Sequence, residues 1–325
     1  MTSLRVSFAV GDSDLNRALL DGTVTIPGID LVVRSYPSPE RHWRMLRNGE
    51  FDVAEVSIGA FLAVNEREPG RFVAVPAFPH RRFRHSYIYV GSGSGLTSPR
   101  ELAGGRIGLR TWTNTAGLWA RGILQDEYGL DLRGVRWVLQ DEDTAGAAGR
   151  GRFATERAGP GESVVALTAA GKLDALIYPE TPDVLGAPDG VRRLFADAKS
   201  EEQAYFRRTG CFPIMHTVAL RRGLVDQLPW LPYDVLTAFR RAKDVAVAAL
   251  ADPRKVALAW ARHEYEAQRE LMGPDPWAYG AEASRRSLET VFRYAAQQGI
   301  VERPPAVDDV FPARTFAEPP RYVRS

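Results

Sequence analysis

What most constrains the fold is the alternation of short apolar runs with helix-like stretches that begins at the first residues. Leu4 to Val10 reads as a strand, and Asp12-Ser13-Asp14 offers N-cap chemistry for a helix through Leu15, Ala18 and Leu19. Ile29 to Ser35 is a second strand. Residues from about Pro39 to Arg47 form a helix stopped by Gly49, and Phe51 to Ser57 is a third strand that ends in polar residues. Phe72 to Phe78 and Ser86 to Val90 add two more. Strands and helices alternating at this spacing build a parallel or mixed sheet. Open α/β sheets bind ligands beyond the carboxyl ends of their strands, so Gly11-Asp12 and Glu55-Val56-Ser57 are expected on one rim.

At 325 residues the chain exceeds one comfortable core. Gly91-Ser92-Gly93-Ser94-Gly95 is expected to be a hinge, since it lacks the Lys-Ser or Lys-Thr of a phosphate-binding loop. Beyond it, Arg106 to Leu109, Val135 to Leu139, Leu173 to Tyr178, Val191 to Phe195 and Pro213 to Leu220 read as strands, and helical periodicity dominates from Pro232. The expected fold class is α/β: a two-lobed clamshell with mixed sheets and a helical C-terminal region. Residues 1–90 with 211–325 make one lobe, and 91–210 make an inserted second lobe that closes on a small molecule. The Gly-, Ala- and Arg-rich stretch 143–163 has no periodicity and is expected as a lid or an unstructured segment.

Lys and Arg number 42 against 40 Asp and Glu, a net charge of +2, which gives nucleic acid no electrostatic footing. No apolar run approaches the roughly 20 residues that span a bilayer, so no membrane partner is expected. The first strand is too short and polar for a secretory core, and a cytoplasmic location is the expectation.

Against that even charge, Pro79-His80-Arg81-Arg82-Phe83-Arg84-His85-Ser86 packs three arginines and two histidines just before a strand. In an extended segment Arg82 and Arg84 share one face, with Phe83 and His85 on the other unless a turn intervenes. A guanidinium holds a carboxylate through two parallel bonds, so the pair suits an anionic ligand. Across the chain, Arg110-Thr111-Trp112-Thr113-Asn114-Thr115 leads from a strand into a helix, where free N–H groups can cradle an anion; helix capping by Thr113 or Asn114 is the simpler reading of that turn. His263-Glu264-Tyr265-Glu266-Ala267 starts like a zinc-protease motif but has Ala267 where the second histidine must stand. His80, His85, His216 and Glu55 have no metal-ligand spacing, and no metal is expected. The single cysteine, Cys211, sits an odd distance from His216 and reads as a packing residue, while His216 suits proton or hydrogen-bond donation.

Several stretches together resemble the 4,5-dihydroxyphthalate decarboxylase family and the binding-protein-like proteins akin to it. They are Gly49 to Ser57, Arg82 to Ser86, Thr115-Ala116 with Trp119, Arg121-Gly122 and Glu127-Tyr128-Gly129, Thr209 to His216, and Leu271-Met272-Gly273 with Trp277, Tyr279 and Gly280. The segment 143–163 departs from the family pattern, as does Cys211, where a β-branched residue is common. The resemblance implies a type 2 periplasmic-binding-protein-like fold and cofactor-independent decarboxylation of a hydroxylated aromatic carboxylic acid, a small-molecule carboxylate being the partner. Such a reaction needs an acid near the ring carbon, an acceptor at the hydroxyl and cations that position the acid groups. His85 or His216 is therefore expected as proton donor, Glu55 as acceptor for the ring hydroxyl and Arg82 and Arg84 as anchors. Thr115, with Ser57, Thr111, Trp112, Asn114 and Phe212, would then complete the substrate site. Binding of an aromatic or dicarboxylate ligand without turnover, or another lyase step in secondary metabolism, are the competing functions. Self-association is left open.

Overall fold

The computed structural model describes residues 4–143 and 151–316. Its strands are β1 (Leu4–Val10), β2 (Ile29–Ser35), β3 (Val53–Ser57), β4 (Phe72–Val75), β5 (Ile88–Gly91), β6 (Arg106–Leu109), β7 (Arg136–Leu139), β8 (Ala154–Arg157), β9 (Ala175–Ile177), β10 (Val191–Arg193) and β11 (His216–Arg221). The helices are α1 (Asp14–Leu20), α2 (Ser38–Asn48), α3 (Ile58–Arg67), α4 (Thr115–Tyr128), α5 (Val164–Ala169), α6 (Ala198–Thr209), α7 (Arg222–Gln227), α8 (Leu231–Leu250), α9 (Ala261–Met272), α10 (Arg285–Gln297) and α11 (Val307–Val310). None of these is long and apolar enough to cross a membrane.

The strands form two mixed sheets, as the α/β reading expects. The first has five strands in the order β2-β1-β3-β11-β4, with β11 antiparallel to both neighbours. The second has six in the order β10-β5-β9-β6-β7-β8, with β5 antiparallel to β9 and β10. Central β3 is buried along its whole length, which is why Val53, Ala54 and Val56 follow no clean alternation with polar residues. The helix before it stops at Gly49, whose φ of 62° is left-handed and suits glycine.

Because β1, β3 and β4 run in parallel and β11 enters from their carboxyl ends, Gly11, Glu55 to Ser57, the chain after Val75 and His216 share one rim. The parallel strands β6, β7 and β9 bring Arg110, Asp141 and Glu180 together on the rim of the second sheet in the same way.

Two expectations need correction. Ile88–Gly91 pairs with β9 and β10, so the chain leaves the first sheet before residue 88. The Gly91–Gly95 stretch is accordingly a turn at the second sheet: Ser94 N donates to Gly91 O at 2.9 Å and Ser92 N to Gly190 O at 2.9 Å. The connections between sheets are residues 76–87 and 194–215, and they lie side by side. Arg81 bridges Ile214 antiparallel, Arg82 N donates to Pro213 O at 3.0 Å, and Met215 N donates to His80 O at 2.9 Å. Within 143–163, residues 144–150 lie outside the described residues. Residues 154–157 are ordered as β8 by parallel pairing with β7.

The C-terminal helices bind the layers together. Helix α8 packs along α1, and α10 packs against α4. At the second contact the ring of Tyr294 covers Gly122 so closely that an added Cβ would lie 2.3 Å from it. Gln298 accepts from Arg121 Nε at 2.6 Å and from Trp112 Nε1, through its carbonyl, at 2.9 Å, and it donates to Leu118 O at 3.0 Å.

Candidate active site

Glu55 is the third residue of the buried strand β3 and only 3% exposed. Its Oε1 lies 2.5 Å from His216 Nδ1 and 3.2 Å from Arg41 Nη2, while Oε2 accepts from Gly11 N at 2.8 Å and Asn16 Nδ2 at 2.9 Å. Arg41 is itself fixed by Nε donating to Glu55 O at 2.8 Å. Burial alone would raise the Glu55 pKa, but the Arg41 guanidinium, the His216 hydrogen bond and the Gly11 N–H hold it well below the carboxylate range. Glu55 is thus ionised, and His216 carries its proton on Nδ1, facing the carboxylate. Burial lowers the His216 pKa even though Glu55 pulls the other way, so the resting imidazole is neutral with Nε2 left for the cleft it lines.

Two more imidazoles stand edge-on to His216. The ring of His80 is 4.5 Å away and that of His42 4.7 Å. Burial pushes His80 down to about 2, and burial together with the nearby His216 holds His42 well below its ordinary value. Among the described residues no group of three or more His, Cys, Asp or Glu could hold a metal ion.

These histidines line a cleft of about 490 Å³ between the two rims. Ser57, Thr111, Asn114 and Thr115 line it, as do Arg82 and Arg84. Ser57 Oγ lies 2.7 Å from Thr115 Oγ1, which also accepts from Gly59 N at 3.0 Å, so one hydroxyl pair joins the helix starts above the two sheets. Asn114 caps α4, its side chain accepting from Ala116 N at 3.0 Å and Gly117 N at 3.3 Å. Arg110 lines the cleft as well, but Nε is 2.9 Å from Asp141 and Nη1 3.6 Å from Glu180, so its charge is already matched.

Arg84 is different. It is 1% exposed, its Nε donates to Arg82 O at 3.2 Å, and neither Nη1 nor Nη2 has a hydrogen-bond partner among the described residues. The guanidinium stacks 4.5 Å from the Tyr87 ring, and burial pushes its pKa down to about 9. A buried guanidinium that lines a cleft with both terminal nitrogens unpaired has the chemistry to hold an anionic group through two parallel bonds. Arg82 is more exposed and donates to Tyr87 Oη at 2.8 Å.

Three expected site residues stand elsewhere. His85 opens a single helical turn instead of extending the strand, and this turns its fully buried ring away from the cleft, among Phe195, Tyr205 and Tyr128 at 5.2, 5.4 and 6.2 Å. Trp112 is buried against Phe153 and Trp137 beneath the Arg121 guanidinium, 4.0 Å from its ring. Phe212 lines a neighbouring chamber rather than this cleft. Glu55 keeps its expected place, but its oxygens are occupied by Arg41, His216, Gly11 and Asn16. Cys211 is buried against Thr290, with Sγ 3.5 Å from Oγ1.

Sequence reasoning missed Arg41, Asn16 and His42. Arg41 lies one helical turn before buried Met45, and Asn16 one turn before buried Leu19. A polar residue on the apolar stripe of a short helix was the available signal.

A family model for the ABC transporter, phosphonate, periplasmic substrate-binding protein matches residues 14–185. The 4,5-dihydroxyphthalate decarboxylase of Comamonas testosteroni is 35% identical over 313 residues, covering 93% of this chain and 94% of the relative. The protein of the same name from Pseudomonas putida is 31% identical over 215 residues, covering 64% and 83%. Among solved structures, the periplasmic aliphatic sulphonate binding protein SsuA from Escherichia coli aligns with a TM-score of 0.53 at 14% identity over 100% of this chain and 95% of that one. The alkanesulfonate-binding protein SsuA from Xanthomonas axonopodis pv. citri aligns with a TM-score of 0.50 at 14% identity, over 94% and 96%. At such identity the structures speak for the fold, whereas the sequence matches carry the kinship: built on a periplasmic-binding-protein-like scaffold, this chain belongs to the 4,5-dihydroxyphthalate decarboxylase family.

Proposed function

We propose that the protein is a carbon–carbon lyase that decarboxylates a hydroxylated aromatic carboxylic acid of the 4,5-dihydroxyphthalate type, bound between the two rims. The observation that carries this reading is the buried Glu55–His216 pair opening on the same cleft as the unsatisfied Arg84 guanidinium.

Loss of CO2 from an aromatic ring is feasible once the carbon bearing the carboxylate has been protonated, and a hydroxyl para to that carbon supplies the electron density. His216 serves as the acid. An anionic ligand raises its proton affinity, Glu55 stabilises the imidazolium, and Nε2 delivers the proton to the ring carbon. The carbon–carbon bond then breaks, its electron pair restores the aromatic ring, and CO2 leaves. The ring serves as its own electron sink, so the reading is of a cofactor-independent reaction. Arg84, helped by Arg82, holds the carboxylate that stays, because tight binding of the departing one would stabilise the ground state. Ser57, Thr115, Asn114 and Thr111 meet the hydroxyls from the opposite rim.

In this reading the two sheets with their helices are lobes that close on the ligand, the second formed by the segment inserted before residue 211. A cytoplasmic location accompanies it, and cell fractionation checks that part.

The test is incubation with 4,5-dihydroxyphthalate and a panel of hydroxylated benzoates, following CO2 and the ring product. CO2 release is expected, with kcat falling about a hundredfold or more in His216→Asn. Saturable binding across the panel with no CO2 would decide instead for a binding protein.

A further inference from the structure

We infer that the ring acid bound by this protein carries a second aromatic group, seated on Phe83, Phe212 and Trp277 in a chamber beside His216. The inference rests on the reading of the cleft as an aromatic-acid site and extends it to the size of the substrate.

The cleft does not end at the catalytic pair. A second chamber of about 860 Å³ meets it at Ser38, His80, Arg82 and His216. The first chamber, about 490 Å³, already lies within the usual range for a small-molecule site, and a one-ring acid leaves the larger neighbour empty. Its wall sets one aromatic bank among charged and hydroxyl side chains. Phe83 comes from one connection between the sheets, Phe212 from the other, and Trp277 from the loop after α9, and all three rings are half-buried. Phe83 and Phe212 lie 4.9 Å apart at 32°, and Phe212 and Trp277 lie 5.2 Å apart at 79°. Such a bank offers one more ring both the tilted and the edge-on contacts that aromatic groups prefer.

Polar groups on the same chamber narrow the choice. Asp12, Asp14, Glu55 and Glu202 line it beside Arg41, Arg81, Arg82 and Arg193. Arg41 faces Glu55 at 3.2 Å, Arg82 donates to Tyr87 Oη at 2.8 Å and Arg193 to Ser86 O at 3.2 Å, so the lining is balanced in charge and favours a neutral extension. A neutral aryl substituent, joined to a carboxylated ring held by Arg84, spans the junction at His216.

The test is calorimetric binding to the full chain of phthalate, biphenyl-2,3-dicarboxylate and biphenyl-3,4-dicarboxylate, the two isomers covering both directions of extension. At least one isomer is expected to bind about tenfold more tightly than phthalate, and Trp277→Leu or Phe212→Leu to erase that advantage while leaving phthalate within about twofold. The inference is overturned if neither isomer outbinds phthalate in the unaltered protein, a comparison that needs no variant to fold. It is also overturned if the advantage survives in both variants. Turnover of 4,5-dihydroxyphthalate reads the decarboxylase proposal separately. CO2 release without a biphenyl preference, or with none of the three ligands bound, removes only the extension, whereas the decarboxylase proposal falls if 4,5-dihydroxyphthalate and the hydroxylated benzoates release no CO2.

Discussion

His216 Nδ1 sits 2.5 Å from Glu55 Oε1, and the two side chains are 8% and 4% exposed. Neither partner is free to choose another geometry. The carboxylate is tied on its other side to Gly11 and Asn16, and β11 delivers the imidazole opposite Ser57, two residues along β3 from Glu55.

Glu55→Gln is therefore expected to act twice. It leaves Arg41 buried without its counter-ion, costing about 3–5 kcal/mol of stability by urea unfolding. It also withdraws the charge that supports a protonated His216. The fall of kcat with rising pH should then move to lower pH in the variant, a shift that loss of packing alone would not produce.

The buried histidines set the acid response of the fold. Burial lowers His80 from 6.5 to about 2 and His85 from 6.5 to about 4. Above pH 6.5 these rings are neutral in both states and their contribution is complete. Below it the unfolded chain binds protons that the folded chain refuses, so stability falls as pH drops toward the folded values. Glu55, held below its ordinary 4.5, adds a loss of the same sign at lower pH. Urea unfolding between pH 7 and pH 5 should show the decline, and His85→Leu should flatten it by about 1.4 kcal/mol per pH unit over the acid part of that range.

Arg84→Met removes a buried cation whose two terminal nitrogens lack partners. The free protein is expected to gain stability, by about 1 kcal/mol or more. Affinity for an aromatic dicarboxylate should fall about ten- to a hundredfold at the same time. Unfolding with and without ligand reads both effects, and a variant that loses stability without ligand contradicts the idea of an open anion site.

At Gly122 the obstacle is Tyr294, whose ring atoms would lie 2.3 and 2.4 Å from an added Cβ. Gly122→Ala should cost about 1–3 kcal/mol. Pairing it with Tyr294→Ala should cost less than the two changes summed, since the clash is then gone.

The strand–helix alternation, the two mixed sheets and the rim shared by Glu55 and Ser57 were legible because periodicity and strand polarity are local properties. Arg82 and Arg84 were found as a charge cluster, and the cleft does receive both. His85 does enter the turn that could have brought it round to the arginines, His85–Tyr87, but its ring is drawn instead among Phe195, Tyr205 and Tyr128, neighbours distant in sequence that no local pattern shows. Trp112 was misread because its partners, Trp137, Phe153 and Gln298, come from distant parts of the chain. The Glu55 shell escaped for a related reason, since Asn16 and Arg41 lie on different helices and meet only when β1 and β3 pair.

The strand order β3-β11-β4 has a bearing on how the protein is made. As the chain leaves the ribosome, β4 emerges early yet has no neighbour until β11 arrives, after the whole of the second sheet has been synthesised. The second sheet, built from a continuous run between β5 and β10, can close on its own first. His216, the opening residue of β11, is thus delivered by the step that completes the older half, and it meets Glu55 only when the first sheet is finished.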